Sequence, residues 1–287
     1  MNTIRDIKSL LTALALACAV TPFAGAEPVA MITDLQGKVQ SPAKPGEQPT
    51  ILGSIDTGAT LQVADGGALV VVYFQSGKEF TFKGPATIKF ADGAPEMIAG
   101  NKPDTRDPLM GKVAGAGKIK PVGKVQAAVV MRGANQNARI KLENMAGTRI
   151  LETRPEFQWQ APEQGLSYEF ELNDDSGRML LETQVQGTKF RLPDAVRLED
   201  GKTYTWLIET HMADGKKYTN AGDFTLAPEK LRADVEAVRP AADAPIAERV
   251  TYAAWLDQLQ FHDEARKYWK QLAAVRTGDS NLNKLAR

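Results

Sequence analysis

Cysteine is all but absent from this 287-residue sequence, Cys18 being the only one. It lies in an N-terminal leader, so the expected mature chain carries no thiol. That excludes disulfides, cysteine nucleophiles and thiolate metal sites together. Histidine is nearly as scarce, with only His211 and His262. The two fall in separate expected modules, which argues against a histidine-based metal site or acid–base pair. Charge of one sign is also missing: Lys+Arg 35 against Asp+Glu 35 leaves no global field, which argues against a nucleic-acid partner. Beyond the leader no apolar run approaches the ~20 residues of a spanning helix. No G-x-S-x-G motif is present, and the serines fall at turns. Glu169, Glu171 and Glu209 alternate with apolar residues, as on a solvated strand face. The expectation is a protein with no catalytic residue, no metal ligand set and no cofactor, a hydrolase being the least favoured reading.

The first residues set the compartment. Arg5 and Lys8 form a basic region, residues 10–20 an apolar stretch too short to span a bilayer, and Ala24-Gly25-Ala26 an A-x-A cleavage site. The expected product is a periplasmic protein, cleaved after Ala26 and starting at Glu27. The alternatives are an uncleaved anchor and a lipid anchor at Cys18, which Leu14-Ala-Leu-Ala-Cys18 suggests.

Residues 27–100 read as a first β-domain. Leu61 and Val63 alternate with polar neighbours, residues 69–74 are a buried-strand run, and Phe80 and Phe82 alternate again. Asp65-Gly-Gly67 and Ser76-Gly77 are the turns between them, and residues 41–50 a Pro/Gly-rich surface loop. The order Gly37-x-Val39, then Ile55-Asp-Thr-Gly58-Ala-Thr-Leu61, an apolar strand, Ser76-Gly77 and Phe80-x-Phe82 ending in Gly84-Pro85 resembles the periplasmic FecR domain, with Gly58 a structural position. The resemblance implies a small β-structure. The best-known members of that family relay an outer-membrane signal to a cytoplasmic sigma factor through an N-terminal anti-sigma segment and a membrane helix. This chain has a cleavable signal in their place. What the resemblance implies here is a periplasmic module that contacts other envelope components.

Residues 101–137 are basic and rich in glycine and proline. Lys102, Arg106, Lys112, Lys118, Lys120, Lys124 and Arg132 face only Asp104 and Asp107. One reading is a solvated linker. The sharper one is a basic strip in which Lys112, Lys118, Lys120 and Lys124 touch an acidic partner or an anionic envelope glycan. Residues 113–118 do not make a phosphate loop, because Ala116 and Ile119 stand where a glycine and a Ser/Thr are required. Residues 124–132 are apolar enough for a short strand or helix.

Residues 138–228 read as a seven-stranded β-sandwich, with strands at 139–142, 156–159, 168–172, 179–183, 189–192, 203–208 and 223–226. Leu198-x-x-Gly201-x-x-Tyr204 resembles the tyrosine corner of fibronectin type III and immunoglobulin-like domains, which implies a bond from the tyrosine hydroxyl to the preceding loop. Trp159 and Trp206 read as core aromatics, sugar-stacking platforms being the alternative. Asn173-Asp-Asp-Ser-Gly177 lacks the alternating ligands and distant Glu of a calcium loop and reads as a turn.

Residues 229–245 read as an Ala/Pro-rich hinge, and residues 246–287 as a helical hairpin. Ala253, Leu256, Ala265 and Trp269 resemble the small and large positions of one tetratricopeptide repeat. A lone repeat cannot bury its own apolar face, so the hairpin should pack on the sandwich, dimerise or capture a partner, with Phe261 and His262 as contact candidates. The fold class expected is mainly β, a small FecR-like domain plus a fibronectin/Ig-like sandwich with a short C-terminal helical hairpin. The function expected is that of an exported adaptor or scaffold in the cell envelope, in signalling or assembly, whose partner is another envelope protein or itself. The alternative is binding to peptidoglycan or another anionic polysaccharide.

Overall fold

The computed structural model describes residues 27–109, 120 and 139–286. The leader with its cleavage site and Cys18, the lysines Lys112, Lys118 and Lys124, and the segments 113–118 and 124–132 lie outside the described residues.

Nine strands precede residue 110: β1 (Pro28–Gln36), β2 (Val39–Gln40), β3 (Ser54–Asp56), β4 (Thr60–Val63), β5 (Ala68–Tyr73), β6 (Glu79–Lys83), β7 (Ala86–Phe90), β8 (Pro95–Ala99) and β9 (Asp104–Arg106). They form two sheets, ordered β3-β1-β5-β6-β9 and β2-β4-β7-β8. Alternation works as it should where one face is wet: Leu61 and Val63 of β4 point inward to meet Ile88, Phe82 and Phe90. In β5 both faces are at least partly covered. Leu69, Val71 and Tyr73 enter this core while Val72 joins Met31 of β1 in a second cluster built largely by helices. Two-sided burial is why residues 69–73 carry an unbroken apolar run. Gly84 closes the turn into β7, where a Cβ would sit 1.7 Å from the Ala64 carbonyl oxygen.

β9 corrects the expected boundary of the basic linker. Residues 104–106 lie within the stretch read as linker, yet they pair with β6, Glu79 opposite Arg106 and Thr81 opposite Asp104. All three side chains are exposed, so the strand is made by backbone pairing together with surface ion pairs to β6, Asp104 with Lys83 at 3.1 Å and Arg106 with Glu79 at 3.7 Å.

Eight strands follow: β10 (Lys141–Leu142), β11 (Thr148–Ile150), β12 (Glu156–Gln160), β13 (Ser167–Asp174), β14 (Met179–Gln186), β15 (Lys189–Arg191), β16 (Thr203–His211) and β17 (Lys217–Leu226). The sheets β10-β12-β15 and β11-β17-β16-β13-β14 stack as a sandwich. Phe157 of one sheet packs on Phe170, Trp206 and Phe224 of the other, with ring centroids 4.8, 5.0 and 5.6 Å apart. Seven strands are those the sequence pattern indicates. The eighth, β11, is only three residues long and runs parallel to β17.

Four helices complete the described residues: α1 (Glu229–Ala237), α2 (Ile246–Gln258), α3 (His262–Val275) and α4 (Ser280–Leu285). α1 corrects the reading of residues 229–245 as a hinge throughout. The tyrosine-corner loop starts the helix: Asp200 Oδ2 accepts from the Glu229 N–H at 2.7 Å, and its other oxygen pairs with Arg232 at 2.6 Å. α2 and α3 form the hairpin, and α2 lies against β1 and β5. Met31, Ile51, Leu52 and Val72 of the first β unit share one core with Trp255, Leu256, Phe261, Trp269 and Leu272 of the helices. The protein is thus mainly β with a C-terminal helical part that packs within the same chain. No helix among the described residues is long and apolar enough to cross a membrane.

Candidate interaction site

A cleft of about 690 Å³ lies between the sheet β10-β12-β15 and α3. Its floor is assembled by side chains that hold backbone. After β10 the chain leaves the sheet, and Asn144 takes over the pairing with β12, donating from Nδ2 to Glu156 O at 2.7 Å and accepting from Gln158 N at 2.9 Å. Met145 then takes a positive φ of 55°. Its carbonyl accepts from Trp206 Nε1 and its N–H donates to Asp263 Oδ2, both at 2.7 Å. One backbone unit therefore joins the sandwich core to the first turn of α3, where a carboxylate also suits the helix dipole. Gly222 makes room for this contact, since a Cβ there would lie 2.7 Å from Met145 O.

The walls carry both signs of charge. Arg266 bonds Asp263 at 2.8 Å, Lys267 bonds Glu264 at 2.6 Å, and Arg191 reaches Glu156 at 3.5 Å. Lys141 and Lys270 line the cleft without an ion-pair partner among the described residues. Such a surface offers donors and acceptors along a trough, with Leu151 and Pro155 as apolar contacts beside them, which suits an extended, largely polar segment.

The residues singled out from the sequence do not converge here. Phe261 is fully buried, 0% exposed, in the core shared by the helices and the first β unit, which corrects its reading as a partner contact. His262 is about one third exposed, and its Nδ1 lies 3.0 Å from Asp257 Oδ1. Asp257 also accepts from Trp269 Nε1 at 2.7 Å, so this histidine belongs to a bond set that closes the hairpin. Lys120 is exposed, and the Gln258 amide holds its backbone on both sides, at 3.2 and 2.8 Å. Gly58 sits at φ 78° and donates its N–H to Phe90 O at 2.7 Å. Gly201 sits at φ 74° in the corner loop, and Tyr204 Oη accepts from Glu199 N at 2.7 Å. Trp159 and Trp206 are buried in the sandwich.

One further grouping emerges only from the fold, and one further motif stands in the sequence itself. Glu169 stands directly opposite Glu209, and His211 lies two residues along the same face, so that their ligand atoms fall within 4.8 Å of one another. Chemically these three could hold a divalent metal. Lys217 Nζ, however, already meets Glu209 at 2.7 Å, and a metal would have to displace it. Ser41-Pro-Ala-Lys44 has the Ser-x-x-Lys spacing of some nucleophilic serines. It forms a turn on an open loop, where Lys44 pairs with Glu47 at 3.2 Å.

By fold, then, the chain belongs among mainly-β proteins built on a sandwich with an appended helical part. No protein-family model matches it, and no curated protein matches it either. Among solved structures it is similar to the fn3 domain of the human collagen alpha-1(XX) chain, with 14% identity, a TM-score of 0.24, and coverage of 39% of this chain and 91% of that one.

Proposed function

We propose that this protein is a non-catalytic, exported adaptor of the cell envelope, with a FecR-like first unit and a fibronectin-like sandwich, which binds another envelope protein or a second copy of itself. The observation that carries the reading is the polar cleft between β10-β12-β15 and α3, where Lys141 and Lys270 offer ammonium groups that the described chain leaves unpaired. The two histidines are engaged with carboxylates in different parts of the molecule, His211 with Glu209 and His262 with Asp257. Signalling and assembly are the processes such an adaptor serves.

The test is photo-crosslinking in living cells from a probe placed at Gln160, on the cleft rim. One stoichiometric envelope protein should be recovered, and charge reversal at Lys141 and Lys270 together should abolish its capture. Capture that survives the double reversal sinks the assignment of this cleft. The same two lysines favour a second reading, binding of an anionic envelope glycan, which predicts cosedimentation with sacculi that weakens as salt rises.

A further inference from the structure

A second cavity, about 580 Å³, lies where the first β unit meets α2. That volume is within the roughly 300–1,000 Å³ of small-molecule pockets. Val72, Pro108 and Leu109 give it apolar walls, and Glu79, Arg106, Glu248 and Thr251 give it polar ones. Glu248 and Thr251 are three residues apart on α2 and so present to the same side. Glu79 comes from β6 on the opposite wall, with only 12% of its side chain exposed.

Among the described residues the charges here do not balance. Arg106 Nη1 is 3.7 Å from Glu79 and 3.6 Å from Glu248, one guanidinium shared loosely between two carboxylates. Burial pushes the Glu79 carboxyl above its ordinary range; Arg106 pulls it back, and Glu248 and Asp34 push it further up. An apolar chamber with surplus negative charge among the described residues is complementary to a cation on an apolar body.

We infer that this cavity binds a small organic amine, whose ammonium donates hydrogen bonds to Glu79 and Glu248, while its hydrocarbon part fills the space between Val72, Pro108 and Leu109. An amine of ordinary basicity is protonated at neutral pH, like lysine, with a pKa of about 10. The ligand would compete with Arg106 for the two carboxylates. This site is separate from the cleft of the proposed adaptor function and stands or falls independently of it.

The test is calorimetric titration of the intact protein with phenethylamine and, in parallel, with phenethyl alcohol, which has the same shape but no charge. The amine should bind, and the alcohol should bind about tenfold more weakly or worse, as expected for loss of a charge-assisted bond. Glu79→Gln and Glu248→Gln should each weaken the amine by about tenfold. Arg106→Gln should tighten it, because the competing cation is gone, a change of sign that general loosening does not produce. Equal binding of amine and alcohol overturns the inference, as does no binding at about 10 mM, where a ligand of useful affinity also raises the melting temperature. If a glutamine variant fails to fold, the amine–alcohol comparison on the unaltered protein still decides.

Discussion

Asp174 shows how much a single turn residue can organise. Its Oδ1 accepts from Ser176 Oγ at 2.6 Å and from the N–H groups of Ser176 and Arg178 at 3.0 Å, while Oδ2 takes Arg178 Nε at 3.0 Å. The Ser176 hydroxyl bond, the largest influence, together with the bonds from Arg178 holds its carboxyl down at about 2. The unfolded chain should titrate near the ordinary value of about 3.9. A carboxyl depressed on folding stabilises the native state above the unfolded value, and that contribution is lost as pH falls from about 4 toward 2. Carbon-detected NMR should find Asp174 ionised well below pH 3, and Ser176→Ala should move its midpoint up. A midpoint in the ordinary range for the unaltered chain would contradict the bond set. The turn itself was legible from Asn173-Asp-Asp-Ser-Gly177; the bonds within it were not, because they depend on side-chain rotamers that spacing does not encode.

At the scale of elements, the informative pieces are the short ones. β11 has three residues and no alternating pattern to announce it, yet it receives the hairpin: Arg149 N and Thr148 Oγ1 both donate to Gln260 O, at 2.7 and 3.2 Å, and Arg149 Nη1 reaches Leu259 O at 3.2 Å. β9 likewise has only exposed side chains, and α1 depends on Asp200, 29 residues away in the chain. Hydrophobic period reads strands and helices that bury a face, so elements made by backbone pairing or by a distant cap escape it. β17 also makes a close seam with Met145 at Gly222. Gly222→Ala should cost about 1–3 kcal/mol in urea denaturation, since neither a carbonyl nor an indole N–H can give way easily. A loss below about 0.5 kcal/mol would mean that the Met145 turn yields without strain.

Across the whole molecule, the helical part is the shared wall of the first β unit. Arg276 forms two bonds of 3.1 Å to Asp34, Asp279 Oδ2 accepts from Ile51 N at 2.9 Å while its other oxygen caps α4, and Asn281 bonds Thr50 and Ile51. Asp34 keeps 11% and Arg276 24% of its side chain exposed, so the pair falls between the surface and buried limits. Arg276→Ala should therefore cost about 2–3 kcal/mol, against near neutrality for an exposed pair. Hydrogen exchange should show β1 opening more readily in that variant. Deleting residues 246–287 should not leave two independent β modules: it uncovers Met31, Ile51, Leu52 and Val72, and the remainder should aggregate or bind a hydrophobic dye. A soluble, dye-negative remainder would show that the first unit folds without its helical wall.

The sequence by itself determined the class of protein: mainly β, strands in two groups, helices at the end, and the core roles of Trp159, Trp206 and Tyr204. The strands, helices and core tryptophans follow from period, turn chemistry and the size of aromatic side chains, which act locally, and the role of Tyr204 from the resemblance of Leu198-x-x-Gly201-x-x-Tyr204 to a tyrosine corner. Only the tertiary structure decided that Phe261 is core, that β9 extends the first sheet, and that the cleft and the amine-sized cavity exist at all. Each of these depends on which faces meet across long separations in the chain, such as Asp263 on Met145 or Glu248 facing Glu79, and no local pattern carries that information.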